Sequence, residues 1–139
     1  MKCKTLWLSD IHLGNINCQY EKLLTFLKLF EKEDKSGYNI EKLYLNGDIF
    51  DFAQWDNKLF WSKHRTVLKK FLRMADKKII IIMIIGNHEL DKLDDLIGFD
   101  LNNVSCRERD IHIGVDGKKY LVMHGHQFEM RMKQHQLQQ

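Results

Sequence analysis

Apolar positions fall into two rhythms along this chain. Three short apolar runs, TLWLS at 5 to 9, KLYLN at 42 to 46 and IIIIMII at 79 to 85, read as strands, the third apolar on both faces, as in strands buried between layers of helices. Two stretches between them carry the period of amphipathic helices. In YEKLLTFLKLFEKE, residues 20 to 33, Leu23, Leu24, Leu27 and Phe30 form one stripe, and from about Ser62 to Asp76 another is formed by Val67, Leu68, Phe71, Leu72 and Ala75. DKSGYN ends the first helix with turn formers. Strand, helix, strand, helix, strand predicts an α/β domain with parallel strands. Beyond Gly98 the runs become short and alternating, and Asp116-Gly117 between two of them predicts a hairpin.

Composition narrows this picture only a little. The chain has 139 residues, 44% of them hydrophobic, enough for one domain with a real core. We place that domain at 1 to 129, followed by a Gln-rich tail at 130 to 139. A net charge of +3 leans weakly towards anionic partners and falls far short of a dedicated nucleic-acid binder. Three cysteines without CxxC spacing suggest neither a disulfide framework nor a thiolate zinc site, and fit a reducing cytoplasm. The apolar start is broken at Asp10, unlike a signal peptide, and no apolar run approaches the ~20 residues of a membrane span.

The polar residues change the picture more. Ligands of open α/β sheets bind at the carboxyl ends of the strands, and those ends here carry metal-binding side chains. The first run leads into Asp10-Ile11-His12, the second into Gly47-Asp48-Ile49-Phe50-Asp51, the third into Gly86-Asn87-His88-Glu89, and the later hairpin strand into His124-Gly125-His126. Alternation along an extended segment would put Asp10 and His12 on one side. Each cluster alone has an ordinary structural reading. Asp10 can cap a turn, Asp51 a helix, Asn87 can make an Asx-turn, and His88 or His124 can be a satisfied histidine. Four clusters in one register point instead to a shared cation site. Carboxylate, imidazole and amide donors without thiolates suit Mn, Fe, Zn or Co. His64, His112 and His135 lie at no strand end and read as structural or solvated.

In order and spacing, DIH at 10 to 12, GDIFD at 47 to 51, GNHE at 86 to 89 and HG at 124 to 125 resemble the first four signature blocks of the calcineurin-like metallophosphoesterases. The resemblance implies part of that family's layered α/β/β/α sandwich, with the first sheet and the start of the second. It implies two divalent cations, manganese favoured, one held by Asp10, His12 and Asp48 and the other by Asp48, Asn87 and His124. Asp48 would bridge them. Two such ions activate a bridging water and clamp the phosphoryl oxygens for in-line attack. His88 would stabilise the transition state or protonate the leaving oxygen. Asp51 would support a ligand from behind or hold its turn, Glu89 would orient His88 or a ligand, and His126 would be a supporting, substrate-facing or idle residue. The family's fifth block, Gly-His-x-His, is absent, so the resemblance reads as C-terminally truncated. An inactive remnant or a metal-binding interaction module is therefore an alternative to an enzyme.

SDIHLG, LYLNGDIFDFAQW and HGHQFE resemble the branch related to UDP-2,3-diacylglucosamine hydrolases, although the best-known members carry Arg where this chain has His88. That branch implies a phosphoester or nucleotide-diphosphate-lipid substrate and a cytoplasmic chain, peripheral at the inner membrane face. Trp55, Leu59, Phe60 and Trp61 would form an apolar wall beside Lys63, Arg65, Lys69, Lys70 and Arg73, against the plainer reading of core aromatics and a solvated helix face. A superfamily nuclease is a further alternative, although the weak positive charge disfavours DNA as partner.

Overall fold

The computed structural model describes residues 4–30 and 39–129. The Gln-rich tail, His135 and the end of the first expected helix lie outside them. Strands β1 (Thr5–Leu8), β2 (Lys42–Asn46) and β3 (Ile80–Ile84) pair in parallel in that order. Helix α1 (Tyr20–Leu27) connects the first two strands and runs into a 3-10 turn, Lys28–Phe30. The connection from β2 to β3 starts earlier than the sequence suggests. A 3-10 turn at Phe52–Gln54 and a helical turn α2 (Asn57–Leu59) lead through a π turn, Phe60–His64, into α3 (Arg65–Asp76). Asp56 sets this start by accepting the Leu59 N–H at 2.9 Å, a side-chain cap that satisfies an orphan helical donor.

Because crossovers between parallel strands are right-handed and the order is sequential, both helical connections lie on one face of the sheet. Leu27 of α1 and Val67, Phe71, Met74 and Ala75 of α3 bury there against Leu43, Leu45, Ile81 and Met83. Leu72, expected on this face, is exposed instead. Among the described residues no helix covers the other face, although the apolar run at 79 to 85 suggested one. Tyr44, Ile82 and Ile84 pack there against Val122 of a two-stranded hairpin, β6 (Asp110–Ile113) with β7 (Lys119–Val122). The turn of that hairpin holds Asp116-Gly117.

Two strands escape the periodicity. A short helix α4 (Leu93–Leu96) leads to β4 (Asp100–Leu101) and β5 (Val104–Arg107); β5 extends the sheet in parallel beside β3, and β4 adds an antiparallel edge. VSCR has neither a long apolar run nor strict alternation, which is why the sequence does not announce it.

The row Phe60, His64, Val67, Phe71 and Met74 is buried along the helical run, so one imidazole enters an otherwise apolar line. His64 Nδ1 accepts the buried N–H of Gly14 at 2.9 Å. Burial pushes the pKa of His64 down, favouring the neutral form that this acceptor role needs. The unfolded chain therefore binds the proton more readily, and this contribution to stability is present above the unfolded value, about 6.5, and is lost as pH falls below it. Replacing His64 by Leu orphans the Gly14 N–H. We expect a loss of about 1–3 kcal/mol at neutral pH, read from urea midpoints, with a shallower acid dependence than the wild type.

Candidate metal centre

The loops leaving β1 and β2 continue the sheet side by side. Asp10 N–H donates to the Gly47 carbonyl at 2.9 Å, His12 N–H to Asp48 at 2.9 Å and Leu13 N–H to Ile49 at 2.8 Å, and Asp51 N–H returns to Leu13 at 2.8 Å. Within this ladder Asp10, His12 and Asp48 have φ of 54, 56 and 52°. That left-handed conformation costs a residue with a Cβ about 1–2 kcal/mol and persists only where the surroundings enforce it. The expectation of an extended segment at 10 to 12 is thus corrected. Asp10 and His12 do approach, with His12 Nε2 3.7 Å from Asp10 Oδ1, but on a left-handed backbone rather than a strand pleat.

Two glycines make room for what meets above the ladder. A Cβ on Gly47, whose φ is 83°, would stand 2.1 Å from His124 Nδ1; one on Gly86 would stand 2.3 Å from both the amide nitrogen and Oδ1 of Asp48. The chain after β7 can therefore lay His124 directly against the second loop.

Buried Asp48 sits at the centre. Its Oδ2 is 3.3 Å from His124 Nε2 and 4.0 Å from His12 Nε2, and its Oδ1 accepts the His88 N–H at 2.9 Å. The ring nitrogen Nδ1 of His124 lies 3.0 Å from the Asn46 carbonyl. A carbonyl only accepts, so Nδ1 carries a hydrogen, and in the neutral ring Nε2 turns a lone pair towards Asp48. One terminal atom of the Asn87 carboxamide lies 3.1 and 3.3 Å from the Asp48 oxygens and 3.2 Å from His124 Nε2. With its nitrogen there, Asn87 donates to these neighbours. With its oxygen there, three acceptors converge without a hydrogen to share, and a cation satisfies them. Asp10, Asp48 and His124 also offer ligand atoms within 4.8 Å of one another. By donor chemistry and placement the residues fit a divalent metal.

Asp51 lies behind this group and is almost completely buried. One oxygen is 3.2 Å from His12 Nδ1 and accepts from Asn15 Nδ2 at 2.9 Å; the other is 2.7 Å from His88 Nδ1 and accepts the Gln54 N–H at 3.1 Å. Burial opposes its charge, but the hydrogen bonds from Asn15, His88 and Gln54 outweigh it and hold the carboxyl down to about 2. The bond to Asp51 in turn raises the pKa of His88. His12, Asp51 and His88 form a second close trio. Because Asp51 occupies Nδ1 of both rings, the trio reads as one carboxylate orienting two imidazoles, with each Nε2 on the side away from it.

Glu89 does something its sequence position does not reveal. Fully buried, it accepts the N–H groups of Asp48 at 3.1 Å, Phe50 at 3.2 Å and Gly86 at 2.7 Å, together with that of Ile49. Burial pushes its carboxyl pKa up, and the four amides pull against that. Removing the side chain leaves four inward-pointing donors. We expect Glu89→Ala to cost about 3–5 kcal/mol, close to the loss of a buried charged partner, and to lower the thermal midpoint by ~10–20 °C. A melt within a few degrees of wild type would show that water replaces the carboxylate.

His126 stands beside His124, ring centroids 5.6 Å apart, with its Nδ1 buried and unpartnered, and its pKa is lowered first by burial and then by His124. Asn15 and His64 support the first loop and escaped the sequence reading as site residues. Nothing local marks either of them, since their partners lie 36 and 50 residues away.

A parallel α/β sheet that gathers carboxylate, imidazole and carboxamide donors at one edge has the construction of a metal-dependent hydrolase. The chain belongs to the calcineurin-like phosphoesterase family, whose model matches residues 3–139. It is 29% identical over 129 residues to a UDP-2,3-diacylglucosamine hydrolase of Aliivibrio fischeri (strain MJ11), covering 86% of this chain and 46% of that protein. It is also 29% identical over 126 residues to a protein of the same description from Histophilus somni (strain 129Pt), covering 88% and 49%. The chain thus spans about half the length of these curated relatives. No solved structure matches significantly.

Proposed function

We propose that this chain carries the metal centre of a phosphoesterase that hydrolyses phosphodiester or pyrophosphate bonds, with a nucleotide-diphosphate lipid of the UDP-2,3-diacylglucosamine kind as its substrate class. The observation that carries this reading is the convergence of Asp48, Asn87 and the lone-pair nitrogen of His124, with Asp10 and His12 at the other side of Asp48. Asp10, His12 and Asp48 hold one divalent cation; Asp48, Asn87 and His124 hold a second; manganese is the first choice and Fe, Zn or Co the others. When bound, such a pair activates water and neutralises phosphoryl charge.

The protein groups do the rest. Asp51 fixes His12 so that Nε2 faces Asp10 and Asp48. It also fixes His88 through Nδ1 and favours the protonated ring, which leaves the Nε2 proton for the leaving oxygen. Glu89 holds the backbone on which Asp48 is mounted. Trp61, 57% exposed, with exposed Lys58, Lys63 and Arg65 nearby in sequence, is the surface we assign to a peripheral contact with anionic headgroups. Among the described residues no helix is long and apolar enough to cross a membrane.

The experiment is turnover of bis-p-nitrophenyl phosphate as Mn²⁺ is titrated into metal-stripped protein. Hydrolysis that saturates with Mn²⁺ supports the reading. Tight Mn²⁺ binding without hydrolysis would instead favour a binding module.

A further inference from the structure

We propose that the cleft on the α1 side of the metal centre is a subsite for the nucleoside monophosphate end of the substrate, with Lys22 serving its phosphate and Leu23 and Phe26 its base. The proposal rests on the phosphoesterase reading above and adds which end of the substrate lies on which side. The cleft has a volume of about 550 Å³ and is continuous with the centre, since Asp10, His12 and His88 line it together with Lys22, Leu23 and Phe26 of α1. A phosphoryl group held at the centre therefore has room for a substituent beside α1.

The chemistry of the other lining residues selects the substituent. Leu23 is half-buried and Phe26 is exposed, giving an apolar surface for the face of a base. The Phe26 ring is braced edge-on by Phe30, with centroids 5.3 Å apart, so it offers a held ring rather than a loose one. Asn17, Gln19 and Gln54 also line the cleft. Each carboxamide presents a donor and an acceptor, as the edge of a base and the ribose hydroxyls require. An acyl chain in the same place would strip water from these amides and return no hydrogen bond. Lys22 lines the cleft and forms no ion pair among the described residues, so its charge is available to a phosphate. An apolar wall, an amide rim and one available cation next to a phosphoryl-handling centre together match a nucleotide better than a lipid tail.

The test uses calorimetry on the Mn²⁺-loaded full chain with UMP, ribose 5-phosphate and lauryl phosphate as probes. Both Lys22 and Phe26 are exposed, so Lys22→Glu and Phe26→Ala should fold as wild type. We expect UMP to bind about tenfold or more tightly than ribose 5-phosphate, the stacking contribution of one base. Lys22→Glu should weaken both probes. Phe26→Ala should weaken UMP alone, and both variants should keep wild-type Mn²⁺ affinity. UMP binding no better than ribose 5-phosphate, or untouched by either variant, would overturn the subsite. Lauryl phosphate binding through Phe26 in preference to UMP would overturn it too, by giving the cleft to the acyl end. UMP binding through these residues in a wild type that fails to bind Mn²⁺ would support the subsite and overturn the metal reading instead.

Discussion

Asp48→Ala is expected to abolish high-affinity Mn²⁺ binding and, with it, all measurable phosphodiester hydrolysis. The reason is position. Buried Asp48 stands within reach of His12 on one side and of Asn87 and His124 on the other, so in the proposed centre its carboxylate is the shared donor. Removing a partner that only orients a ligand typically weakens metal binding by ~10–100-fold, and loss of the shared ligand should exceed that range. Asp51→Asn provides the comparison, since Asp51 meets His12 and His88 on their far nitrogens. Calorimetry should therefore rank wild type, Asp51→Asn and Asp48→Ala in falling order. Circular dichroism is needed alongside, because Asp48→Ala also strips the acceptor from the His88 N–H. A folded Asp48→Ala protein that binds Mn²⁺ as the wild type does would place the metal elsewhere.

His88→Ala should lower turnover by ~10²–10⁴ while leaving Mn²⁺ content nearly intact, the range for a positioned acid or base. The geometry separates the two neighbours in the third block. Asn87 turns its carboxamide to Asp48 and His124, whereas the His88 ring turns away to Asp51 and lines the open cleft. As a proton donor, His88 should matter more for a poor alkoxide leaving group than for p-nitrophenolate. Equal losses on both would leave it an electrostatic role alone. Loss of metal together with activity would make His88 a ligand and undo this division of labour.

The parts of this fold that sequence shows are those with local causes. β1, β2 and β3 are apolar runs closed by polar residues, α1 and most of α3 are periodic, and Asp116-Gly117 marks its own turn. β5 is hidden because VSCR is too short and mixed. The early start of the second helical connection is hidden because FAQWDNKLFW is an aromatic stretch without helical periodicity, and only the structure shows Asp56 capping Leu59. At the candidate site, the residue types at the strand ends are legible while their backbone is not. Nothing in DIH or GD states that Asp10, His12 and Asp48 are left-handed, since the ladder between two loops imposes it. Glu89 is the clearest case. Its neighbours suggest a helper to His88 or to a ligand, but its four partners are backbone amides in two loops, three of them some 40 residues away.

That carboxylate also bears on how the site moves. Glu89 ties the amides of 48, 49 and 50 to that of 86, so the second and third loops are riveted into a single rigid piece carrying Asp48 and Asn87 together. A twist of β3 displaces the pair without changing their separation. Asp10 and His12 are joined to that piece by the backbone ladder, and His124 by its bond to the Asn46 carbonyl. We therefore expect the centre to open beside β1 or beside the hairpin rather than between Asp48 and Asn87.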